Sequence, residues 1–435
     1  MSARASDRAP GERRPQPAAG RGAPRLVDYA SQRLRKLCMA VGFGGSTDGV
    51  IQTFRELLSP WGETPLGQPS KWVSEISDDN TPVEFSVAVA DGRAEVRVLF
   101  EPQGDQPTLS AYRAAALELH ERLEREFGAD LRRFRLVSDL FLPEDMQGPF
   151  ALWSSAVFSP GRAPLFKAYF NAQARGPGQA QALVKDALMR LGLRRSWPAI
   201  SRSVLRRGPY LDELKYFALD LTSEEHARVK VYVRHHAATP VDLEAASSAA
   251  EGYLPGEALD FARVMRGGDV QLKARAPFTC SSFVGERDDR PASTTLYVPV
   301  CAYARDDEAV RRRVHDYLTE TGFDPSLYNS IVHGFANRPL DKGVGMQSWI
   351  ALRRYQGHAR FTVYLGTEAN RVHPPGVVPA PTGERSIPAR LALPADLVSR
   401  SIPKARRHRR ESPTRGPRVR ATHPHSEKRR ITRGG

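Results

Sequence analysis

Residues 83–100 have the sequence VEFSVAVADGRAEVRVLF, in which two alternating stretches flank an Asp-Gly pair. Alternation of this kind is typical of a β-strand that buries one face. An Asp-Gly pair between two such stretches predicts a tight hairpin turn. In the second stretch Glu95 and Arg97 alternate with Val96 and Val98. The segment therefore predicts an antiparallel hairpin with one apolar face.

The same hairpin pattern occurs four more times along the chain. The later hairpins are predicted at residues 148–171, 211–235, 275–301 and 347–366. Segments with helical periodicity lie at residues 26–41, 47–58, 109–127, 178–192, 240–265 and 306–321. The second strands recur about every 66 residues, which indicates a structural repeat. Ten antiparallel strands with helices between the hairpins predict an α+β fold, a closed barrel with its helices outside and a cavity in its lumen.

The second strand of each hairpin has one apolar face and one face of charged, hydroxyl and phenol side chains. The polar face contains Glu95, Arg97, Lys167, Tyr169, Arg228, Lys230, Tyr232, Arg234, Thr295, Tyr297, Arg360, Thr362 and Tyr364. In an open sheet this face would be exposed to solvent, as in many antiparallel sheets. In a closed barrel the same side chains would converge on the lumen. They would then form a binding site for a polyvalent anion, surrounded by aromatic rings.

The net charge of +15 comes from the two ends of the chain. Residues 1–25 carry six Arg against two acidic residues, and residues 400–435 carry thirteen Lys or Arg against two, so residues 26–399 are neutral. Both ends are rich in Pro, Gly and Arg, a composition typical of disorder. We interpret residues 1–25 as a disordered basic tail, residues 26–385 as the folded domain, and residues 386–435 as a disordered Pro/Arg-rich tail. A non-catalytic protein that binds polyanions through its tails is an alternative function, although the neutral folded domain argues against nucleic acid as a partner.

Several other classes of protein are not indicated. No apolar run of about 18 residues is present, and the N-terminus has no apolar signal-sequence core. The cysteines, Cys38, Cys280 and Cys301, are far apart and form no zinc-binding motif. Asp78 and Asp79 lack the spacing of a metal-binding acidic motif. We expect a cytoplasmic protein with no membrane contact and no metal site.

The ordered strand motifs resemble one known family. The motifs are VEFSVAV, EVRVLFEP, LFKAYFN, ARVKVYVRH, TLYVPV and SWIALRRYQGHARFTVYLG. Together they resemble the strands of dimethylallyltryptophan synthase-type aromatic prenyltransferases, over roughly residues 30–370. The high Arg and Ala content suggests a bacterial member. The resemblance implies the αββα prenyltransferase barrel, with the active site in the lumen.

The resemblance also implies an activity. The enzyme would transfer a dimethylallyl group from dimethylallyl diphosphate to an indole ring, that of tryptophan or of a tryptophan-derived small molecule. The reaction would be a metal-independent electrophilic aromatic substitution in secondary metabolism, with no cofactor. A cyclic dipeptide or a phenol as the acceptor is an open alternative, and the oligomeric state is not indicated.

Site residues follow from the motifs position by position. The resemblance implies that Glu84, in TPVEFS, holds the indole N–H and orients the ring. It places the diphosphate and the allyl cation at Arg97, Lys167, Tyr169, Arg228, Lys230, Tyr232, Thr295, Tyr297, Arg360 and Tyr364. Arg, Lys and Tyr donors would stabilise the leaving diphosphate. The tyrosine faces would shield the allyl cation from water.

Some positions depart from the family pattern. Thr295 stands where Gln is often found, and Arg360 stands where a second tyrosine is often found. Residues 150–158 contain no lysine that could remove the ring proton, so the base is left open. Candidates for contact with the acceptor are Trp153, Trp349 and Met346, although the favoured interpretation of each is a place in the core.

Overall fold

A computed structural model describes residues 23–67, 74–90, 92–223, 227–268, 274–285 and 289–378. The two predicted tails, residues 1–25 and 386–435, lie outside the described residues except for residues 23–25. Among the described residues, no helix is both long and apolar enough to cross a bilayer.

Ten antiparallel strands close into one barrel, which confirms the predicted fold class. The strands are β1 Val83–Ala90, β2 Arg93–Phe100, β3 Leu152–Phe158, β4 Leu165–Asn171, β5 Asp212–Asp220, β6 Arg228–His235, β7 Phe278–Val284, β8 Ser293–Val298, β9 Gln347–Tyr355 and β10 His358–Gly366. Each strand pairs with its neighbours in sequence, and β1 pairs with β10 to close the sheet. All five hairpin turns therefore lie at one end of the barrel, the hairpin end. The connections to helices lie at the other, the helix end.

A pair of helices precedes each hairpin and covers the outside of the barrel. The helices are α1 Leu26–Val41, α2 Thr47–Leu57, α3 Leu109–Phe127, α4 Arg132–Phe141, α5 Ala180–Arg190, α6 Ser196–Ser203, α7 Pro240–Ser247, α8 Glu257–Arg266, α9 Asp307–Glu320 and α10 Ser326–Phe335. Val96 and Val98, on the outward face of β2, are fully buried in one cluster with Leu34 of α1 and Leu123 of α3. Burial of each such side chain stabilises the fold by about 1.5–3 kcal/mol. The hydrophobic core is thus a shell between sheet and helices, which leaves the lumen for polar groups.

Most predicted elements match the structure within a few residues, but the helices differ in number. The segment predicted at 240–265 is two helices, α7 and α8, and Gly256 before α8 has a left-handed conformation with φ 88°. The sequence did not predict α4, α6 and α10. These helices have only 8–10 residues, too few for a clear helical period. In addition, α6 contains a proline near its start and α10 contains Gly334, both of which lower helix propensity.

Candidate active site in the barrel lumen

The polar strand faces point into the lumen, as the sequence predicted. They surround a central cavity that contains about 1160 Å³ of space between protein atoms, and each of its lining residues is buried or half-buried. Nine of the eleven predicted site residues line this cavity: Glu84, Arg97, Lys167, Tyr169, Arg228, Lys230, Tyr232, Tyr297 and Tyr364. The strand register explains the convergence, since Ser86 of β1 lies between Arg97 of β2 and Tyr364 of β10.

Four cations form a ring around the lumen towards the hairpin end. This cation ring consists of Arg97, Lys167, Arg228 and Lys230. Asp220 of β5 holds three of its members together. The carboxylate of Asp220 accepts hydrogen bonds from Lys167 Nζ at 3.0 Å, Lys230 Nζ at 3.2 Å and Arg228 Nε at 2.7 Å.

The charges in the cation ring depend on this carboxylate. Burial would raise the pKa of Asp220, but Lys167, Lys230 and Arg228 hold that pKa well below its usual value. The carboxylate therefore stays ionised and offsets the repulsion among its neighbours. Burial, followed by the charge of Arg228, lowers the pKa of Lys230 to about 8. Asp220 was not among the predicted site residues, because it lies on the first strand of its hairpin and the prediction rested on the alternation in the second strands.

The two other predicted residues lie outside the central cavity. Arg360 is nearer the hairpin end, where its guanidinium donates to Glu95 at 3.0 Å, and Glu95 also accepts from Arg97 at 2.8 Å. Burial opposes ionisation of Glu95, but Arg97 and Arg360 lower its pKa to about 2. Thr295 is opposite Cys280 in the register and is half-buried, without lining the cavity. Glu95 therefore links Arg360 to Arg97 of the cation ring.

A ring of four tyrosines lies next to the cation ring on the helix side. This tyrosine ring consists of Tyr169, Tyr232, Tyr297 and Tyr364, and successive ring centroids are 5.9, 6.0 and 5.7 Å apart. On β4 and β6 each tyrosine follows a lysine of the cation ring by two residues, which sets the order of the layers. Burial raises the pKa of Tyr364 to about 12. The phenols are therefore neutral and present π faces and hydroxyl donors to the lumen.

Glu84 lies beyond the tyrosine ring on β1. Its carboxyl is 5% exposed, lines the central cavity, and accepts a hydrogen bond from Ser348 Oγ at 2.8 Å. Burial raises the pKa of Glu84 to about 8, although the bond from Ser348 lowers it. A buried carboxyl with one oxygen held by a hydroxyl can accept a further hydrogen bond from a ligand N–H.

An aromatic pocket adjoins the tyrosine ring, since the ring centroids of Tyr216 and Tyr232 are 5.8 Å apart. Its members, in order of contact, are Phe150, Trp153, Tyr216, Phe278 and Trp349, with successive centroids 4.0, 5.1, 5.7 and 5.5 Å apart. The predicted acceptor-facing residues Trp153 and Trp349 both line the cavity. Met346 instead belongs to the hydrophobic core outside the lumen. The pocket has the shape and polarity to hold a flat aromatic ring.

Charged groups of both signs close the helix end of the cavity. Glu75, Arg234 and Arg275 line it there. The carboxylate of Glu75 is 3.5 Å from Lys215 Nζ. The guanidinium of Arg234 is 3.9 Å from Glu213 of β5, and that of Arg275 is 2.8 Å from Asp78 in the loop before β1. The sequence did not predict Glu75, which lies in a loop. Arg275 was placed at the start of a predicted first strand, but β7 begins at Phe278 and Arg275 lies in the segment before it.

Ser155 occupies the inward position of β3 opposite Lys167. No lysine lies on β3, so that strand offers no amine as a base. Among the described residues there is also no group of three or more His, Cys, Asp or Glu that could hold a metal ion. The lumen thus combines a group of cations, a group of tyrosines, a buried carboxyl and a flat aromatic pocket in one cavity.

Comparison with known proteins gives consistent matches over the barrel. The model of the tryptophan dimethylallyltransferase family matches residues 50–247. A structure of 6-dimethylallyl tryptophan synthase is 36% identical, covering 81% of this chain and 99% of that chain with a TM-score of 0.77. The 6-dimethylallyltryptophan synthase of Micromonospora olivasterospora, solved with DMASPP and Trp, is 35% identical over 81% of this chain and 100% of that chain, with a TM-score of 0.77.

A third match comes from another organism. The 5-dimethylallyl tryptophan synthase of Streptomyces coelicolor, also solved with DMASPP and Trp, is 31% identical. It covers 82% of this chain and 98% of that chain with a TM-score of 0.74.

Proposed function

The chain belongs to the tryptophan dimethylallyltransferase family of aromatic prenyltransferases, and from this membership we propose that it transfers a dimethylallyl group from dimethylallyl diphosphate to the indole ring of tryptophan. The observation that carries the proposal is the set of groups that line one cavity. The cation ring, the tyrosine ring, the buried carboxyl of Glu84 and the rings of the aromatic pocket all face the same lumen. Each group corresponds to one part of the two substrates.

The cation ring would hold the diphosphate. When the C–O bond of the donor breaks, negative charge accumulates on the leaving diphosphate and positive charge on the allyl group. Preorganised Arg and Lys donors stabilise that developing charge more strongly in a buried site than in water. Asp220 keeps Lys167, Lys230 and Arg228 at fixed positions before the donor arrives.

The tyrosine ring would surround the allyl cation. A cation placed over the faces of phenol rings is attracted by their quadrupoles. The same rings exclude water, which would otherwise capture the cation as an alcohol. A carbon of the indole attacks the cation instead, a C–C bond forms, and loss of the ring proton restores aromaticity.

Glu84 would accept the indole N–H and fix the ring in the aromatic pocket. Glu84 lines the same cavity as the tyrosine ring and the pocket, so a bound indole would have one edge on Glu84 and one face towards the allyl group. Holding two reactants at short range and in the right orientation removes much of the entropic cost of the reaction. Glu84 thus positions the acceptor and raises its electron density.

The charges at the helix end favour tryptophan itself as the acceptor. An amino acid carries an ammonium and a carboxylate beyond its indole, and the helix end presents Glu75 and Arg234 beyond the aromatic pocket. A cyclic dipeptide or a simple phenol has no such charges and would make no ion pair with these groups. The two synthases solved with Trp support the same acceptor.

One experiment tests the acceptor and the metal requirement together. The purified protein is incubated with dimethylallyl diphosphate and, separately, tryptophan, a tryptophan-containing cyclic dipeptide and tyrosine, each with EDTA. We expect a prenylated tryptophan as the main product. EDTA should have no effect, because the cation ring would stabilise the leaving diphosphate in place of a metal ion. A faster reaction with the dipeptide or the phenol would contradict tryptophan as the acceptor. Loss of activity in EDTA would contradict metal independence.

We further propose that the enzyme acts in the cytoplasm, in secondary metabolism. Cys38, Cys280 and Cys301 are all buried free thiols, which fits a reducing compartment. Cell fractionation with an antibody against the protein tests the location, and recovery outside the cytoplasmic fraction would contradict it.

A further inference from the structure

A buried ion pair lies at the helix end of the cavity, among groups to which the proposed reaction assigns no role. This helix-end ion pair joins Asp78, in the loop before β1, to Arg275, in the segment before β7. Arg275 Nη1 donates to Asp78 Oδ2 at 2.8 Å, and the two side chains are 10% and 6% exposed. The hydroxyl of Tyr303 donates to the backbone oxygen of Arg275 at 2.7 Å. The guanidinium of Arg275 therefore has a defined place at the edge of the cavity, which it also lines.

The guanidinium of Arg275 packs against one wall of the aromatic pocket. Its Cζ lies 4.6 Å from the ring centroid of Trp349. A guanidinium is attracted to the face of an indole ring, and its flat shape suits this contact better than an ammonium does. Trp349 also makes a T-shaped contact with Phe278, with centroids 5.5 Å apart. The ring against which the acceptor would lie is thus held by both β7 and the segment before it.

The same wall is connected to Glu84 through β9. Ser348, which precedes Trp349 on this strand, donates to Glu84 at 2.8 Å. Burial has the largest effect on the pKa of Glu84 and raises it to about 8, whereas the bond from Ser348 lowers it. Within the helix-end ion pair, the carboxylate raises this pKa and the guanidinium lowers it. The pair therefore acts on both groups that would contact the indole.

The strands on either side of β1 bring no competing charge to Glu84. On β2 the residue opposite Glu84 is Leu99, and the next inward residue, Arg97, is bonded to Glu95 at 2.8 Å. On β10 Tyr364 lines the same cavity, and burial raises its pKa to about 12, so the phenol is neutral. Charge therefore reaches Glu84 from the helix-end ion pair.

The side chains next to the helix-end ion pair leave its two charges in place. Cys301 Sγ is 3.6 Å from the guanidinium and 3.8 Å from the carboxylate, and burial raises its pKa, so the thiol is neutral. Burial lowers the pKa of His373, which lies near Asp78, so the imidazole is neutral as well. Arg371 is exposed and donates to the backbone oxygen of Asp78 at 2.9 Å.

We propose that Arg275, held by Asp78, is a positioning residue for the acceptor, because it fixes the ring of Trp349 and stabilises the negative charge of Glu84. The inference rests on the proposed function, since both of these groups would contact the indole. The two members of the helix-end ion pair act on Glu84 in opposite directions, because a cation stabilises a carboxylate and an anion repels it. A pair that served only the stability of the fold would show no such opposition.

The test measures the pH dependence of kcat/KM for tryptophan on the full chain, with the donor saturating. Asp78→Asn removes the anion, so the midpoint of the profile should fall by at least about half a pH unit. Addition of Arg275→Met to Asp78→Asn removes the cation as well, and the midpoint should rise again by a similar amount. Arg371→Met is the matched control, because its charge is exposed and screened; it should leave the midpoint unchanged.

A conservative variant separates the charge of Arg275 from its flat shape. Arg275→Lys keeps the cation beside Asp78, so the midpoint of the profile should stay at the wild-type value. The ammonium packs less well on Trp349, so the ratio of the main prenylated isomer to the others should fall at least about threefold. Because both charges are kept, this variant also serves should Asp78→Asn fold poorly. The isomers are separated by chromatography.

The outcomes distinguish the inference from the proposed function. An unchanged midpoint in Asp78→Asn, or a further fall in the double variant, would overturn the effect of the helix-end ion pair on Glu84. An unchanged isomer ratio in Arg275→Lys would overturn its effect on Trp349. Wild-type protein that forms no prenylated tryptophan at any pH would contradict the proposed function, and the inference with it.

Discussion

The hairpin end and the helix end of the lumen are built differently. At the hairpin end the functional groups lie on regular strands, at every second residue, and positive charge is in excess. At the helix end Glu75 and Arg275 come from segments outside the strands, and the charged groups occur as pairs of opposite sign. The difference indicates that the sheet itself fixes the site for the donor, whereas segments before the strands complete the site for the acceptor. Acceptor preference can therefore change without disturbing the barrel.

Replacement of Glu84 should distinguish most clearly between acceptor binding at the helix end and donor binding at the hairpin end. We expect Glu84→Gln to lower kcat with tryptophan about 100-fold or more, because the indole loses its orientation. Binding of a donor analogue, which depends on the cation ring, should stay within twofold of wild type. Both quantities are measured on the same preparation, by product formation and by calorimetry.

Ser348→Ala is the control for this substitution. It removes the hydroxyl that bonds to Glu84 but leaves the carboxylate in place, so its loss of kcat should be smaller. Equal turnover in wild type and Glu84→Gln would exclude Glu84 from the mechanism.

Arg234→Met tests whether the helix end binds the charged part of the acceptor. The KM for tryptophan should rise about 30-fold, since a hydrogen bond to a charged group is lost. The KM for dimethylallyl diphosphate should not change. With 3-methylindole, which has neither ammonium nor carboxylate, wild type and variant should have the same KM. A rise of equal size for 3-methylindole would mean that Arg234 acts only on the shape of the pocket.

Tyr364→Ala tests whether the tyrosine ring, between the two ends of the lumen, excludes water. Removal of one face of the tyrosine ring should raise the ratio of dimethylallyl alcohol to prenylated tryptophan about tenfold, because water reaches the cation. Tyr364→Phe keeps the ring face and should give a ratio close to that of wild type. The two products are separated by chromatography, and an unchanged ratio in Tyr364→Ala would show that the tyrosine ring does not exclude water.

The pH dependence should differ between the two substrates. Glu84, with a pKa of about 8 in the free enzyme, is mostly protonated at pH 7 and loses its proton as pH rises. With donor saturating, kcat/KM for tryptophan should therefore increase about eightfold between pH 7 and pH 8.5. Above pH 8 Lys230 loses its charge, so donor affinity should fall. A flat tryptophan profile, or the same rise in Glu84→Gln, would contradict the assignment to Glu84.

The sequence was sufficient for the barrel and for most of the side chains that line its lumen, for a physical reason. Alternation with period two fixes which side chains share a face. In a closed barrel the polar face can only point inward, so Lys167 and Tyr169, or Lys230 and Tyr232, had to enter the same lumen. Glu84 lines this lumen where the family resemblance placed it.

Other parts of the site could not be predicted in this way. Asp220 lies on a first strand, and its importance depends on neighbours that are distant in sequence. Glu75 lies in a loop, where no period assigns a direction to the side chain. Short helices such as α4 are stabilised by the barrel they pack against, which their own sequence does not show.

Asp220 has one consequence for which molecules the lumen accepts. The carboxylate of Asp220 neutralises part of the positive charge of the three cations that it bonds. An alkyl monophosphate, with less charge to offer, gains less by entering than a diphosphate does. The carboxylate of Asp220 therefore favours a leaving group with the charge of a diphosphate. We expect the enzyme to bind donors with a single phosphate much more weakly.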